Sequence, residues 1–121
     1  MSNLGLFRRA DDAVSFAAGQ TVFNAGEQGR VMYVVLEGEV SILIGSAVME
    51  DVPPGGFFGE MALIDQDLRS ATAVAKTDCK LVPLDKKRFT FLVQEHPYFS
   101  LEVMQTLARR LRRMDSRMGA A

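Results

Sequence analysis

From Val14 to Leu84 short apolar, β-favouring runs alternate with turn residues: VSF, AAGQ, TVF, NAGEQG, then the longer VMYVVLEGEVSILIG. Strand and turn recur at this short spacing in antiparallel sandwiches and barrels. Within the longer run, strands over Val31 to Leu36 and Val40 to Ile44 meet at Glu37-Gly38-Glu39, where Gly38 can supply a positive φ. The next strand ends at DVPPGG, because proline removes a ladder donor and glycine permits a sharp turn. SATAVAK and CKLVPLD read as two more strands, which puts Pro83 at an edge or a strand end.

The period changes at Asp85. DKKRFTFLVQEHP offers Asp85 as an N-cap and apolar Phe89, Leu92 and Val93, so it predicts a helix that stops before Pro97. A longer helix follows in PYFSLEVMQTLARRLRRMDSRMG, with Pro97 in its first turn and Gly119 near its end. On a helical wheel Leu101, Val103, Met104, Leu107, Ala108, Leu111, Met114 and Met118 share one broad apolar face, opposite Arg109, Arg113 and Arg117. The predicted fold is mainly β with C-terminal helices. An antiparallel barrel or jelly roll over about residues 14–84 carries a short helix, and two closing helices follow over about 85–118, all in one domain spanning 1–121.

Composition narrows the function classes. A chain of 121 residues that is 48% hydrophobic can bury one core. A net charge of -1 gives no global attraction to nucleic acid or anionic membrane. Cys79 is the single cysteine, so an internal disulfide and a multi-cysteine metal centre are both excluded. His96 is the single histidine, which removes cupin-type metal clusters and Ser-His or Cys-His nucleophile pairs; it reads as a helix-junction residue beside Pro97. The expectation is a non-enzyme with no cofactor. No run approaches a membrane span or a signal peptide, and the chain reads as cytoplasmic.

The chemistry concentrates in GGFFGEMALIDQDLRSATA, residues 55–73. Gly59 lets backbone approach a ligand, and a short helix opening over Glu60 to Leu63 would aim unpaired N–H groups at an anion. Arg69 adds a planar fork suited to phosphate, Ser70 a hydroxyl, and Ala71 an unobstructed backbone amide. Glu60, an acceptor when ionised, suits a donor such as a sugar hydroxyl. A compact ligand with one phosphate and one ribose hydroxyl satisfies both charges.

Phe58-Gly59-Glu60, then Ala62-Leu63, then Arg69-Ser70-Ala71-Thr72, resembles the phosphate-binding cassette of the cyclic nucleotide-binding domain family. The resemblance extends back through GEQGRVMYVVLEGEVSI and forward through the two closing helices. It implies that Glu60 takes the ribose 2′-hydroxyl and Arg69 the cyclic phosphate. Phe58, Gly59, Ala62, Ser70, Ala71 and Thr72 complete the cassette, and Met61 touches the ribose and relays binding to the helices. A lid from the last helix, drawn from Leu107, Arg110, Leu111, Arg112 and Met114, is expected to close over the base. Cyclic AMP is favoured over cyclic GMP, because Ser70 stands where a threonine is common in the cyclic GMP-selective relatives.

Some residues depart from the family pattern. The segment before the barrel is short, and Arg30 stands where many relatives are acidic. Met114-Asp115 falls where the bacterial catabolite activator has its base-contacting pair. That activator continues into a helix-turn-helix module, whereas this sequence ends at Ala121, which argues against direct DNA binding and points to an unidentified protein effector. The wide apolar face of the last helix leaves room for a homodimer contact. Two alternatives to a nucleotide sensor are a ligand-free dimerisation or adaptor module and the separated regulatory domain of a larger transcription regulator, kinase or channel.

Overall fold

The computed structural model describes Phe7, residues 11–64 and residues 68–117, with side chains of the last helix described as far as Arg113. Eight strands appear in chain order: β1 (Val14–Phe16), β2 (Thr21–Phe23), β3 (Met32–Glu37), β4 (Val40–Ile44), β5 (Ala47–Val52), β6 (Phe57–Phe58), β7 (Thr72–Ala75) and β8 (Cys79–Leu84). They form two antiparallel four-stranded sheets ordered β1-β8-β3-β6 and β2-β7-β4-β5. Between the sheets lies a core that draws Val35, Phe58, Cys79 and Leu81 from the first and Val40, Val52, Ala73 and Ala75 from the second. Met32, Val34, Val82 and Leu84 point to the other face of the first sheet and are buried as well. Burial on both faces explains why β3 and β8 read as nearly continuous apolar runs.

The connection between β3 and β4 needs its glycine twice over. Gly38 has φ +82°, and a Cβ there would strike the carbonyl oxygen of Asp78 and lie 2.7 Å from the Cys79 Cβ. Pro83 sits on β8, an interior strand, yet β1 pairs only with Cys79 to Leu81. The missing N–H of Pro83 therefore falls where one side of the strand has no neighbour in that sheet. One strand escapes the sequence pattern: β6, two residues long, pairs with β3 through Tyr33 opposite Phe58 and Val34 opposite Phe57.

Among the described residues the helices with assigned bounds are α1 (Met61–Ile64), α2 (Lys86–Glu95) and α3 (Pro97–Arg117). The chain divides into two compact units, residues 2–87 with the sheets and residues 88–121 with the helical end. Within the helical unit, His96 donates its backbone N–H to the Leu92 carbonyl and accepts from the Phe99 N–H. One residue thus closes α2 and opens α3, and Phe89 meets Phe99 with ring centroids 5.6 Å apart. The apolar face of α3 is narrower than the wheel suggests. Phe99 and Val103 are buried, Leu107 and Ala108 are half-buried, and Leu101, Met104 and Leu111 stand exposed at 47%, 55% and 62%. Met118 and Gly119 lie outside the described residues. Among the described residues no helix is long and apolar enough to cross a membrane.

Candidate functional site

Arg69 is placed by backbone before its side chain does anything. Its N–H donates to the Glu27 carbonyl at 2.8 Å, and its own carbonyl accepts the Gly26 N–H at 2.8 Å. Gln28 bridges to Leu68 alongside. Two further bonds stiffen the segment facing it: Asn24 donates its N–H to the Glu27 carboxylate at 2.6 Å, and Ala25 donates to the Thr72 hydroxyl at 3.0 Å. The turn after β2 and the start of β7 are thus tied together across the site.

The guanidinium is then held by three contacts. One terminal nitrogen donates to the Gly59 carbonyl at 3.0 Å and the other to the Val31 carbonyl at 2.8 Å. The Phe23 ring lies below, its centroid 4.0 Å from Cζ, within the range of a cation–π contact. Phe23 is itself packed against Tyr33 and Phe58, with centroids 6.3 and 5.8 Å away, and those two rings stack at 5.5 Å. The strand pairing of Tyr33 with Phe58 produces that stack. An arginine has five N–H donors, so after the two carbonyl bonds three remain for an anion. Partial burial pushes the Arg69 pKa down from its ordinary value, while Tyr33, Glu27 and Glu60 push it back up.

Gly59 joins this fork to the carboxylate. It has φ +78°, and a Cβ on it would lie 2.8 Å from an Arg69 terminal nitrogen, so both its backbone and its clearance exclude a side chain. Glu60 follows immediately and is 9% exposed, an acceptor largely withdrawn from bulk water whose charge Arg69 feels. The helix starts at Met61, one residue later than the sequence suggests. Its amides at Ala62, Leu63 and Ile64 do not stand unpaired: Ala62 donates to the Gly59 carbonyl at 3.3 Å, and Leu63 and Ile64 donate to the Glu60 carbonyl at 3.0 and 3.4 Å. These three amides are taken within the turn, so they are not the free helix amides the sequence suggests.

The remaining expected residues divide. Phe58 and Ala62 are buried, Met61 is 44% exposed, Ser70 is exposed, and Ala71 and Thr72 are half-buried. The Thr72 hydroxyl oxygen is already engaged by the Ala25 amide. On α3, Leu107 and Arg110 are half-buried and Leu111 and Arg112 are exposed, while the side chain of Met114 lies outside the described residues. Sequence reasoning missed Phe23, Gly29 and the Val31 carbonyl, which lie some forty residues before the arginine they touch. Gly29 was visible only as turn punctuation in GEQG. Among the described residues no group of three His, Cys, Asp or Glu side chains could hold a metal.

The model of the cyclic nucleotide-binding domain fits residues 13–96. The chain belongs to the cyclic nucleotide-binding domain family. It is 33% identical over 105 residues to the cyclic AMP receptor protein of Thermus thermophilus, a match covering 83% of this chain and 49% of that one. The solved catabolite activator protein of Thermus thermophilus superposes with a TM-score of 0.77 at 31% identity, covering 89% of this chain and 53% of that structure. This chain therefore spans about half the length of these relatives. A second solved structure, from work on a cyclic-GMP-dependent signalling pathway that regulates bacterial phytopathogenesis, matches at 32% identity with a TM-score of 0.68. That match covers 99% of this chain and 95% of the other. The domain is thus a cyclic nucleotide-binding regulatory domain of the antiparallel jelly-roll type.

Proposed function

We propose that this chain is a non-catalytic sensor for a cyclic purine nucleotide, with cyclic AMP the favoured ligand. The observation that carries the reading is the pairing of Arg69, with N–H groups to spare, and Glu60, a withdrawn acceptor, across Gly59. In this reading Arg69 takes the cyclic phosphate through two of its remaining donors, and Glu60 accepts the ribose 2′-hydroxyl. Phe58, Gly59, Met61, Ala62, Ser70, Ala71 and Thr72 shape the pocket around them. The similarity to a cyclic AMP receptor supports the choice of ligand.

Cyclic GMP is the second reading, and the match that covers nearly all of a chain from a cyclic-GMP-dependent pathway favours it. The exposed Ser70 hydroxyl is the group on this chain that would meet a guanine amino group.

Occupancy is relayed by population shift. Ligand contacts stabilise a state in which the last helix, through Leu107, Arg110, Leu111, Arg112 and Met114, caps the base, so residues 1–121 act as one binding domain. The exposed strip of Leu101, Met104 and Leu111 serves a homodimer, and a protein effector in the cytoplasm receives the signal. Direct DNA reading has no part in this proposal.

Calorimetry with cyclic AMP and cyclic GMP on the parent and on Arg69→Leu tests it. Removing one side of a desolvated charge pair costs about 2–4 kcal/mol. Affinity of Arg69→Leu equal to the parent's would refute the phosphate role, and a parent that binds neither nucleotide would refute the sensor.

A further inference from the structure

The end of β2 and the segment leading to β3 supply three features to one guanidinium: the Phe23 ring face, the Val31 carbonyl, and the clearance left by the missing side chain at Gly29. Gly29 is buried, and a side-chain carbon on it would lie 2.5 Å from Arg69 Nε, 2.6 Å from Cζ and 3.0 Å from the Ala62 Cβ. No real contact of that kind is tolerated, and the atoms that would have to give way belong to the movable end of the arginine. Gly29 has no positive φ, so a side chain there carries no backbone strain. Its requirement is clearance.

We propose that Phe23 and Gly29 are positioning residues for Arg69, setting the plane of its guanidinium so that the donors not used by Gly59 and Val31 present themselves together to a cyclic phosphate. The inference rests on the phosphate role given to Arg69 above. Hydrogen bonds to two carbonyls fix two nitrogens but leave the fork free to rock about the line joining them. The ring face, itself immobilised by Tyr33 and Phe58, resists that rocking by stacking on the delocalised cation. The bare Cα at position 29 lets the fork lie flat. A fork held this way has less freedom to lose when the phosphate arrives, and pre-organisation of that kind improves affinity without any new contact.

The test uses the full chain as Phe23→Leu, Phe23→Tyr and Gly29→Val, with cyclic AMP as ligand. Two measurements are made on each: binding by calorimetry, and the Arg69 Nε–H resonance without ligand, assigned through Arg69→Lys. Phe23→Leu should move that resonance by removing the ring current and weaken binding roughly tenfold. Phe23→Tyr should restore both, since tyrosine keeps the ring face. Gly29→Val leaves all three aromatic rings in place, so it should move the same resonance without removing a ring current and weaken binding at least as much.

Convergence of a lost ring and an added methyl-bearing side chain on one arginine signal supports the inference, because a merely structural role for Phe23 would not be reproduced by Gly29→Val. An Arg69 resonance unmoved in both Phe23→Leu and Gly29→Val overturns it, as does parent affinity in both. If the parent itself failed to bind cyclic nucleotide, the functional reading would fall, and the resonance measurements alone would still decide whether Phe23 and Gly29 position Arg69.

Discussion

Glu60 offers the sharpest separation between a residue that holds the fold and one that reads a ligand. It is 9% exposed, and its charge is among those that raise the Arg69 pKa. On the proposed reading, Glu60→Ala does two things at once: it removes the acceptor offered to the ribose, and it changes the field around Arg69. A hydrogen bond to a charged acceptor contributes about 1.5–3 kcal/mol net, and a site with little water access falls toward the upper part of that range. The field change acts on every ligand that carries the cyclic phosphate, but the lost hydrogen bond acts only on ligands with a 2′-hydroxyl. Titrating cyclic AMP and its 2′-deoxy analogue into parent and Glu60→Ala protein forms a double cycle that cancels the shared part. The expected coupling is about 2.5 kcal/mol, a factor of about 70 in affinity that cyclic AMP loses beyond what the deoxy analogue loses. Equal losses for the two ligands would remove Glu60 from the ribose and leave it as an electrostatic partner of Arg69.

Two other outcomes are open to measurement. Gly38→Ala should destabilise the protein by about 1–3 kcal/mol in urea melts, because it combines a left-handed φ with a clash against the Asp78 carbonyl; a midpoint equal to the parent's would mean the β3–β4 turn relaxes freely. Truncation after Ala108 should keep the sheets folded while speeding cyclic AMP release more than it slows capture. In the intact chain, hydrogen exchange over residues 109–118 should slow on adding ligand, and unchanged exchange together with unchanged release would leave a passive binding barrel.

The parts of the fold that were readable in the sequence are those where local pattern and tertiary environment agree. Two-sided burial of β3 and β8 writes long apolar runs, and the helix change at Asp85 is marked by an N-cap and a new period. β6 was illegible because two phenylalanines carry no periodicity, and only their pairing with Tyr33 and Val34 makes them a strand. The α3 face was read too wide, since a wheel ranks residues by chemistry and cannot tell Val103 from Met104 until something covers one of them. In the site, Glu60 and Arg69 stand out as lone opposite charges amid small residues. Phe23 and Gly29 do not, because what makes them matter is a distance to Arg69 that no local spacing encodes.

The bonds that fasten Arg69 and Thr72 to the β2–β3 segment, 38 and 47 residues apart in sequence, also set when the site can exist during folding. Closing a chain loop of that size carries an entropic cost that no local contact offsets, so pairings of this range tend to form late and slow an all-β domain. The second sheet can grow from the β4–β5 hairpin across Gly45 before either half of the Arg69 seat has met the other, whereas the first sheet pairs no strands that are consecutive in the chain. A nascent or damaged chain with a formed β4–β5 hairpin but unclosed sheets thus has Glu60 and no fixed Arg69. If Arg69 binds the cyclic phosphate as proposed, nucleotide would bind only molecules that have finished closing, and above its dissociation constant it would draw the last folding step forward by mass action.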